Sequence, residues 1–419
     1  MAAWFSAFSA GSGVQLYKLG FDESVTKWTD PGFALAPQDL TFFNNAVWFG
    51  GITPANGFQL YKLGNDGSVT KWTSIGTDLF PQDLTVFNNA LWFEGFNAGQ
   101  GQLYKLGNDG SVTKWTANPG AGLGLEPFNM TVFNDALWFD GQTPANGVQL
   151  YKLGNDASVT KWTSIGSNLF PQDEVIFNNA LWFTGENAGK LQLYKLGNDG
   201  SVTKWTALNT GGIGLDPSGM TVFNDAAWFG GLTPTNGAQL YKLANDGSVA
   251  QWTAIGSGLG PSDMTVFNNA LWFDGINAGQ GQLYKLGNDG SVTKWTADPG
   301  FMGGGLNPGG MTVFNDALWF SGATPANGSQ LFKLGSDGSV TQWTAIAGGL
   351  NAQPVSTAAN DPDSTPLSTF NNALWFSANN PNNGGTELYK LGADGSFTFW
   401  KDINPGPGSS FPADWALLG

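Results

Sequence analysis

The chain has 419 residues, of which 61 are Gly and 19 are Trp; it carries a net charge of -15 and contains no Cys, no His and no Arg. Disulfides, Cys/His zinc centres, Ser-His and Cys-His nucleophile pairs and Arg clamps for phosphate are therefore excluded. An acidic chain whose 17 basic residues are all Lys is a poor partner for nucleic acid or anionic lipid, so no nucleic-acid partner is expected.

The opening segment, Met1-Ala2-Ala3-Trp4-Phe5, lacks both a charged stretch and a long apolar stretch, so no signal peptide is expected in this chain. No run of about 18 apolar residues occurs later, and a helical membrane span is not expected. The rest of the chain is repetitive. Trp-Phe recurs at Trp4, Trp48, Trp92, Trp138, Trp182, Trp228, Trp272, Trp319 and Trp375. A second set recurs at Trp28, Trp72, Trp115, Trp162, Trp205, Trp252, Trp295, Trp343 and Trp400. Successive Trp-Phe pairs are 44 to 47 residues apart, and 56 apart before the last. The chain is nine copies of one unit.

The copy from Leu84 to Thr116 shows what the unit builds. Leu84-Thr85-Val86-Phe87 is a short apolar run, and Asn88-Asn89 suits a turn at positive φ. Ala90-Leu91-Trp92-Phe93 leads through a Gly-rich loop to Gln102-Leu103-Tyr104-Lys105-Leu106, and Gly107-Asn108-Asp109-Gly110 turns the chain into Ser111 to Thr116. The pattern predicts four short strands joined as a meander, with no helical period. A unit of that length with four strands predicts a propeller blade, and nine units predict an all-β, nine-bladed β-propeller forming one domain over residues 1–419. Pro412 to Leu418 repeats the pattern of Pro81 to Phe87. The C-terminus is therefore expected to supply the first strand of the blade whose other three strands come from the N-terminus, closing the fold with a split blade. An open solenoid is the alternative.

The second-to-third loops and the blade crossings are long and variable, and both emerge on one face, which is where ligand binding is expected. These loops carry a second period. Thr53-Pro54-Ala55-Asn56-Gly57 recurs at 143–147, 233–237 and 324–328 with one substitution, and the blades between carry Asn97-Ala98-Gly99 and its copies instead.

The last blade departs most, with an insertion at 351–366 before its first strand. Its Glu387-Leu388-Tyr389-Lys390, Asp394-Gly395-Ser396 and Lys401-Asp402-Ile403-Asn404-Pro405-Gly406 resemble the bacterial hyalin-like repeats over about 30 residues. The other blades match that unit only weakly. The resemblance implies a bacterial, secreted or cell-surface β-propeller, with a cytoplasmic location as the alternative. It implies no catalytic residues.

The Trp-Phe pairs occur once per blade at one strand position, as inter-blade packing demands, although indoles also stack on sugars. The lysines are expected as a solvated ring on the outer strands, pairing with turn carboxylates. An Asn-Asp-Gly turn brings too few oxygens for calcium; Asp361 and Asp363 of the insertion are a better cation candidate, but no metal and no cofactor is expected. Asn56, Asn146, Asn236 and Asn327, at matching loop positions, and Asp83, Asp173 and Asp263, at the starts of first strands, are the candidate ligand-binding residues. Their bland readings are left-handed turn residues for the Asn set and backbone N–H acceptors for the Asp set.

The expected function is a non-enzymatic, multivalent, lectin-like binding module. Its partners would be glycans or a surface protein, and shallow sites repeated around the long-loop face would supply avidity. A self-assembling surface scaffold is the alternative. A glycoside-acting enzyme is third, because it needs two carboxyls in different environments within one cleft, and near-identical blades argue against a singular cleft.

Overall fold

The computed structural model describes residues 2–117, 124–207, 212, 214–297, 305–350, 352, 368–380, 385–404 and 408–418. The insertion at 351–366, with Asp361 and Asp363, therefore lies outside the described residues, apart from Ala352. The fold is all-β: nine four-stranded antiparallel blades arranged as a β-propeller. Blade 1 comprises residues 2–27 with 413–418, and blades 2 to 9 span 38–71, 82–114, 128–161, 172–204, 218–251, 262–294, 309–342 and 368–401. The chain divides into two compact units: residues 1–164 with 354–419, holding blades 1 to 4 and 9, and residues 165–353, holding blades 5 to 8.

Blade 3 shows the common plan. Its strands Gln82–Phe87, Ala90–Asn97, Gln100–Leu106 and Val112–Lys114 pair in sequence order. Asn88 and Asn89, at φ 46° and 61°, make the first turn, as do the paired Asn44-Asn45 and Asn178-Asn179 elsewhere. Asn tolerates this left-handed region better than other side chains, which explains its choice there. In the 165–353 unit the first strands of blades 5, 6, 7 and 8 approach one another in turn; those of blades 1, 2, 3 and 4 do so in the other unit. The first strands are therefore innermost.

The split blade is present. Ala413–Leu418 pairs antiparallel with Ala2–Ser9, matching Ala3 to Leu417 and Trp4 to Ala416. Trp415 stacks on Phe5 with ring centroids 4.5 Å apart.

The core lies between blades. Trp48 packs with Leu60, Leu79, Leu91, Phe93 and Tyr104, so blade 2 closes on blade 3 through apolar contact. The buried Trp48 indole donates to the Phe43 carbonyl at 3.0 Å. The second tryptophan, Trp72, meets Trp48 edge-on with centroids 5.1 Å apart. Its indole N–H donates to the Gly110 carbonyl in the next blade at 2.8 Å. Lys62 lies 5.6 Å and 5.2 Å from the centroids of these two indoles. All nine blades repeat this pairing of Lys with two indoles, from Lys18 to Lys390. The strand lysines are thus cation–π partners of the tryptophans and not simply a solvated ring. The physical reason is reach: Lys62 stands directly opposite Trp48 across the strand pair.

Candidate active site

The first strand of blade 3 is interrupted by a bulge between Gln82 and Thr85, and Asp83 sits in it at φ 52°. The same position is Asp39, Asn129, Asp173, Asp263 and Asp414, at φ 49° to 53°, and Gly219 and Gly310, at φ 62° and 63°. Among the described residues only Asp, Asn and Gly occur there, because a left-handed bulge residue must be one of the few types that bear positive φ at low cost. Where the sequence predicts plain strand starts, the structure has bulges.

The bulge turns each Asp side chain toward the next blade. The Asn129 backbone N–H donates to Asp83 Oδ2 at 2.8 Å, and the Met311 N–H donates to Asp263 Oδ2 at 3.3 Å. The Asp173 carboxylate accepts from the Gly219 backbone, and the Asp414 carboxylate from the Asp39 backbone. Asp83 is half-buried, whereas Asp173 and Asp263 are exposed.

The four loop asparagines lie elsewhere. Asn56, Asn146, Asn236 and Asn327 are half-buried in the second-to-third loops. Lys71 donates to Asn56 Oδ1 and Lys161 to Asn146 Oδ1, both at 3.2 Å. None of the four is itself left-handed: positive φ falls on the next residue, at Gly57, Gly147, Gly237 and Gly328. Near Asn327 a groove of about 560 Å³ opens between Trp295 and Thr296 of one blade and Thr324, Pro325 and Phe332 of the next. The structure does not bring the Asn and Asp sets together through any described hydrogen bond.

The residues that sequence reasoning missed stand directly after each Trp-Phe. They are Ser6, Gly50, Glu94, Asp140, Thr184, Gly230, Asp274, Ser321 and Ser377. In a chain of near-copies this position varies from blade to blade, and that variation was the available signal. Glu94 is 7% exposed, at the seam between blades 3 and 4. Burial, then the Asp83 and Glu126 carboxylates, push its pKa up to about 8. Gly101 makes room for it, since a Cβ there would lie 2.4 Å from Glu94 Oε1 and 3.1 Å from Glu126 Cγ. Glu126 is half-buried and enters the seam from the crossing before Pro127, at φ 48°. Within blade 4 the Asn129 amide donates to Asp140 Oδ2 at 3.2 Å. In the 165–353 unit Asp274 occupies the place of Glu94, and burial, then Asp263, push its pKa up to about 7. Its neighbour in place of Glu126 is Asn307, whose Oδ1 accepts the Gly281 N–H at 3.2 Å. The Glu94 seam therefore holds three carboxyls where its counterpart holds two. A carboxyl pushed up toward neutrality by burial and by two neighbouring carboxyls is the kind of group that can serve as a proton donor.

No protein-family model and no curated protein sequence matches the chain. Among solved structures it is similar to a puromycin hydrolase, with 15% identity, a TM-score of 0.41, and coverage of 78% of this chain and 53% of that one. It is similar to dipeptidyl peptidase 4 of Porphyromonas gingivalis, with 9% identity, a TM-score of 0.49, and coverage of 88% and 59%. An oligogalacturonate lyase in complex with manganese gives 12% identity, a TM-score of 0.41, and coverage of 82% and 96%. The chain thus spans little more than half the length of the two hydrolytic enzymes, and the likeness is one of fold.

The expectation of a non-enzymatic, lectin-like module is corrected on this chain's own residues, and nothing supports glycan or surface-protein partners. Its premise of near-equivalent blades fails, because the position after Trp-Phe varies from blade to blade and places the buried Glu94 at one seam.

Proposed function

We propose that the chain is an acid–base enzyme of the hydrolytic type, with its centre at the seam between blades 3 and 4 and Glu94 as the proton donor. The observation that carries this reading is the Glu94 carboxyl, buried and held protonated up to about pH 8 between Asp83 and Glu126. A neutral carboxyl at pH 7 can give its proton to a leaving oxygen or nitrogen, and an ionised neighbour can take one from water. Asp83, fixed by the Asn129 N–H, is the group placed to do the latter. Both charges acting on Glu94 are negative, so an uncharged or cationic substrate suits the seam and an anionic one does not.

The test is turnover by the full chain of a chromogenic panel, 4-nitrophenyl glycosides and aminoacyl 4-nitroanilides, across pH 5 to 9. Activity is expected to fall above about pH 8 as Glu94 ionises, and Glu94→Gln is expected to lower it by about 10²-fold or more. Wild-type turnover that survives Glu94→Gln intact would remove the proposal.

A further inference from the structure

In blade 1 the turn between third and fourth strands reads Gly20-Phe21-Asp22-Glu23-Ser24, against Gly64-Asn65-Asp66-Gly67-Ser68 in blade 2. Asp and Ser keep their places in all nine blades, whereas Phe and Glu occur in blade 1 alone. The fourth residue is Gly in seven of the other blades and Ala157 in blade 4. Both changes leave the turn intact. Asp22 Oδ1 accepts the Ser24 N–H at 3.1 Å, and the Glu23 N–H donates to the Gly20 carbonyl at 2.9 Å. Blade 2 has the same two bonds from Ser68 and Gly67, at 3.0 and 2.9 Å. Turn formation therefore asks for neither residue. Glu23 is a costly choice there, because it sits at φ 63°, in the left-handed region that Gly67 occupies at 80° without strain.

Both side chains reach blade 9. The Glu23 carboxylate pairs with Lys390 Nζ, and the two side chains are 21% and 18% exposed. Among the described residues this is the only ion pair between blades. Lys390 lies 4.8 Å from the Trp400 ring centroid, and the Trp400 indole donates to the Glu23 carbonyl at 2.9 Å. Phe21 meets the buried Phe370 edge-on with centroids 5.4 Å apart, and the Asn371 amide donates to the Phe21 carbonyl at 2.9 Å. The backbone part of this contact recurs, as in the Trp28 indole bond to the Gly67 carbonyl at 2.7 Å, so it does not tell one blade from another. Lys390 and Phe370 also have counterparts, such as Lys105 and Phe87 in blade 3. Room is what differs. A Cβ at Gly67, Gly110, Gly247, Gly290 or Gly338 would lie 2.6 to 3.0 Å from the outer Trp of the blade before. Trp400 accommodates Glu23, and its centroid stands 5.5 Å from that of Trp375, against 5.0 to 5.3 Å in the other eight pairs. Elsewhere the largest side chain at that place is the methyl of Ala157, whose carbonyl accepts from Trp115.

We propose that the Gly20–Ser24 turn is a docking site specific for blade 9. Glu23 and Phe21 grip Lys390 and Phe370, and the space beside Trp400 admits Glu23 where the outer tryptophans of blades 1, 2, 5, 6 and 7 do not. The need for such a site follows from chain order. The N-terminal strands must find partners 350 to 377 residues away, which costs closure entropy, and near-copies of the right blade offer wrong places to dock. The turn adds a side-chain grip to the backbone pairing of Ala413–Leu418 with Ala2–Ser9.

The experiment is hydrogen exchange read by mass spectrometry on the full chain. Phe21→Asn with Glu23→Gly gives blade 1 the turn of blade 2. This double variant is expected to fold and to exchange about tenfold faster over residues 2–19, with residues 226–244 of blade 6 unchanged. Glu23→Gln keeps the side chain and removes the charge. It is expected to speed exchange over 2–19 by a smaller factor, and it decides the matter if the double variant does not fold. Asn245→Phe with Gly247→Glu builds the same turn in blade 6, where Trp205 stands in its way, and residues 226–244 are expected to lose protection. Wild-type protection over 2–19 in either of the first two variants, or undiminished protection of blade 6 in the third, would overturn the proposal.

Discussion

The Asn129 backbone N–H donates to Asp83 Oδ2 at 2.8 Å across the boundary between blades 3 and 4. Both residues sit in the same left-handed bulge of successive blades, at φ 52°. Each bulge thus presents a carboxylate forward or offers an N–H backward, and polar contact helps to hold the inner end of the seam.

Two substitutions at Asp83 separate its backbone role from its carboxylate role. Asp83→Gly keeps the positive φ but removes the acceptor, and is expected to cost about 1–3 kcal/mol by leaving the Asn129 N–H unpaired. Asp83→Val adds the strain of a β-branched residue at positive φ and should cost more. Urea unfolding of both variants checks the order; equal stabilities would mean that the bulge conformation is unimportant.

The pH dependence of stability has a definite sign. Glu94 moves from an ordinary value of 4.5 to about 8 on folding, so the folded state holds its proton more tightly. Its stabilisation is complete below about pH 4.5 and is lost as pH rises through the window to about 8, at up to about 1.4 kcal/mol per pH unit. Asp274, raised to about 7, and Asp414, raised to about 6, act in the same direction. Urea midpoints between pH 5 and 9 should fall for wild type and fall less steeply for Glu94→Gln.

At the outer strands, Lys62→Met keeps the aliphatic stem over Trp48 and Trp72 and removes the charge. The expected loss is about 0.5–1 kcal/mol, the usual worth of an exposed cation–π contact. Trp48→Ala, deep in the interface, should cost about 3–5 kcal/mol. Thermal unfolding of the two variants tests this contrast, and similar losses would contradict it.

Deleting 413–418 strips the inner strand from blade 1 and the Trp415 ring from Phe5. The Ala2–Ser9 edge is then open for pairing with other chains. Light scattering during mild heating should show aggregation at a lower temperature than for the full chain. An unchanged profile would mean that the last strand is dispensable.

The blade plan was legible in the sequence because each of its causes is local. Asn-Asn and Asn-Asp pairs specify the turns, β-branched and aromatic runs specify the strands, and the recurrence of Trp48-type and Trp72-type residues specifies the stacking of one blade on the next. Pairing of the two chain ends was readable for the same reason, since Pro412 to Leu418 copies an internal first strand. The bulge at Asp83 was not readable as a bulge, because Asp suits an N-terminal turn and a left-handed bulge equally well. Which carboxyls are chemically unusual was decided only by tertiary structure. Glu94 and Asp109 are both acidic residues of blade 3, yet burial beside Asp83 and Glu126 raises the first, whereas the Ser111 hydroxyl and N–H lower the second in open solvent. A pKa depends on how much water and which charges surround a group, and folding across the blade seam sets both.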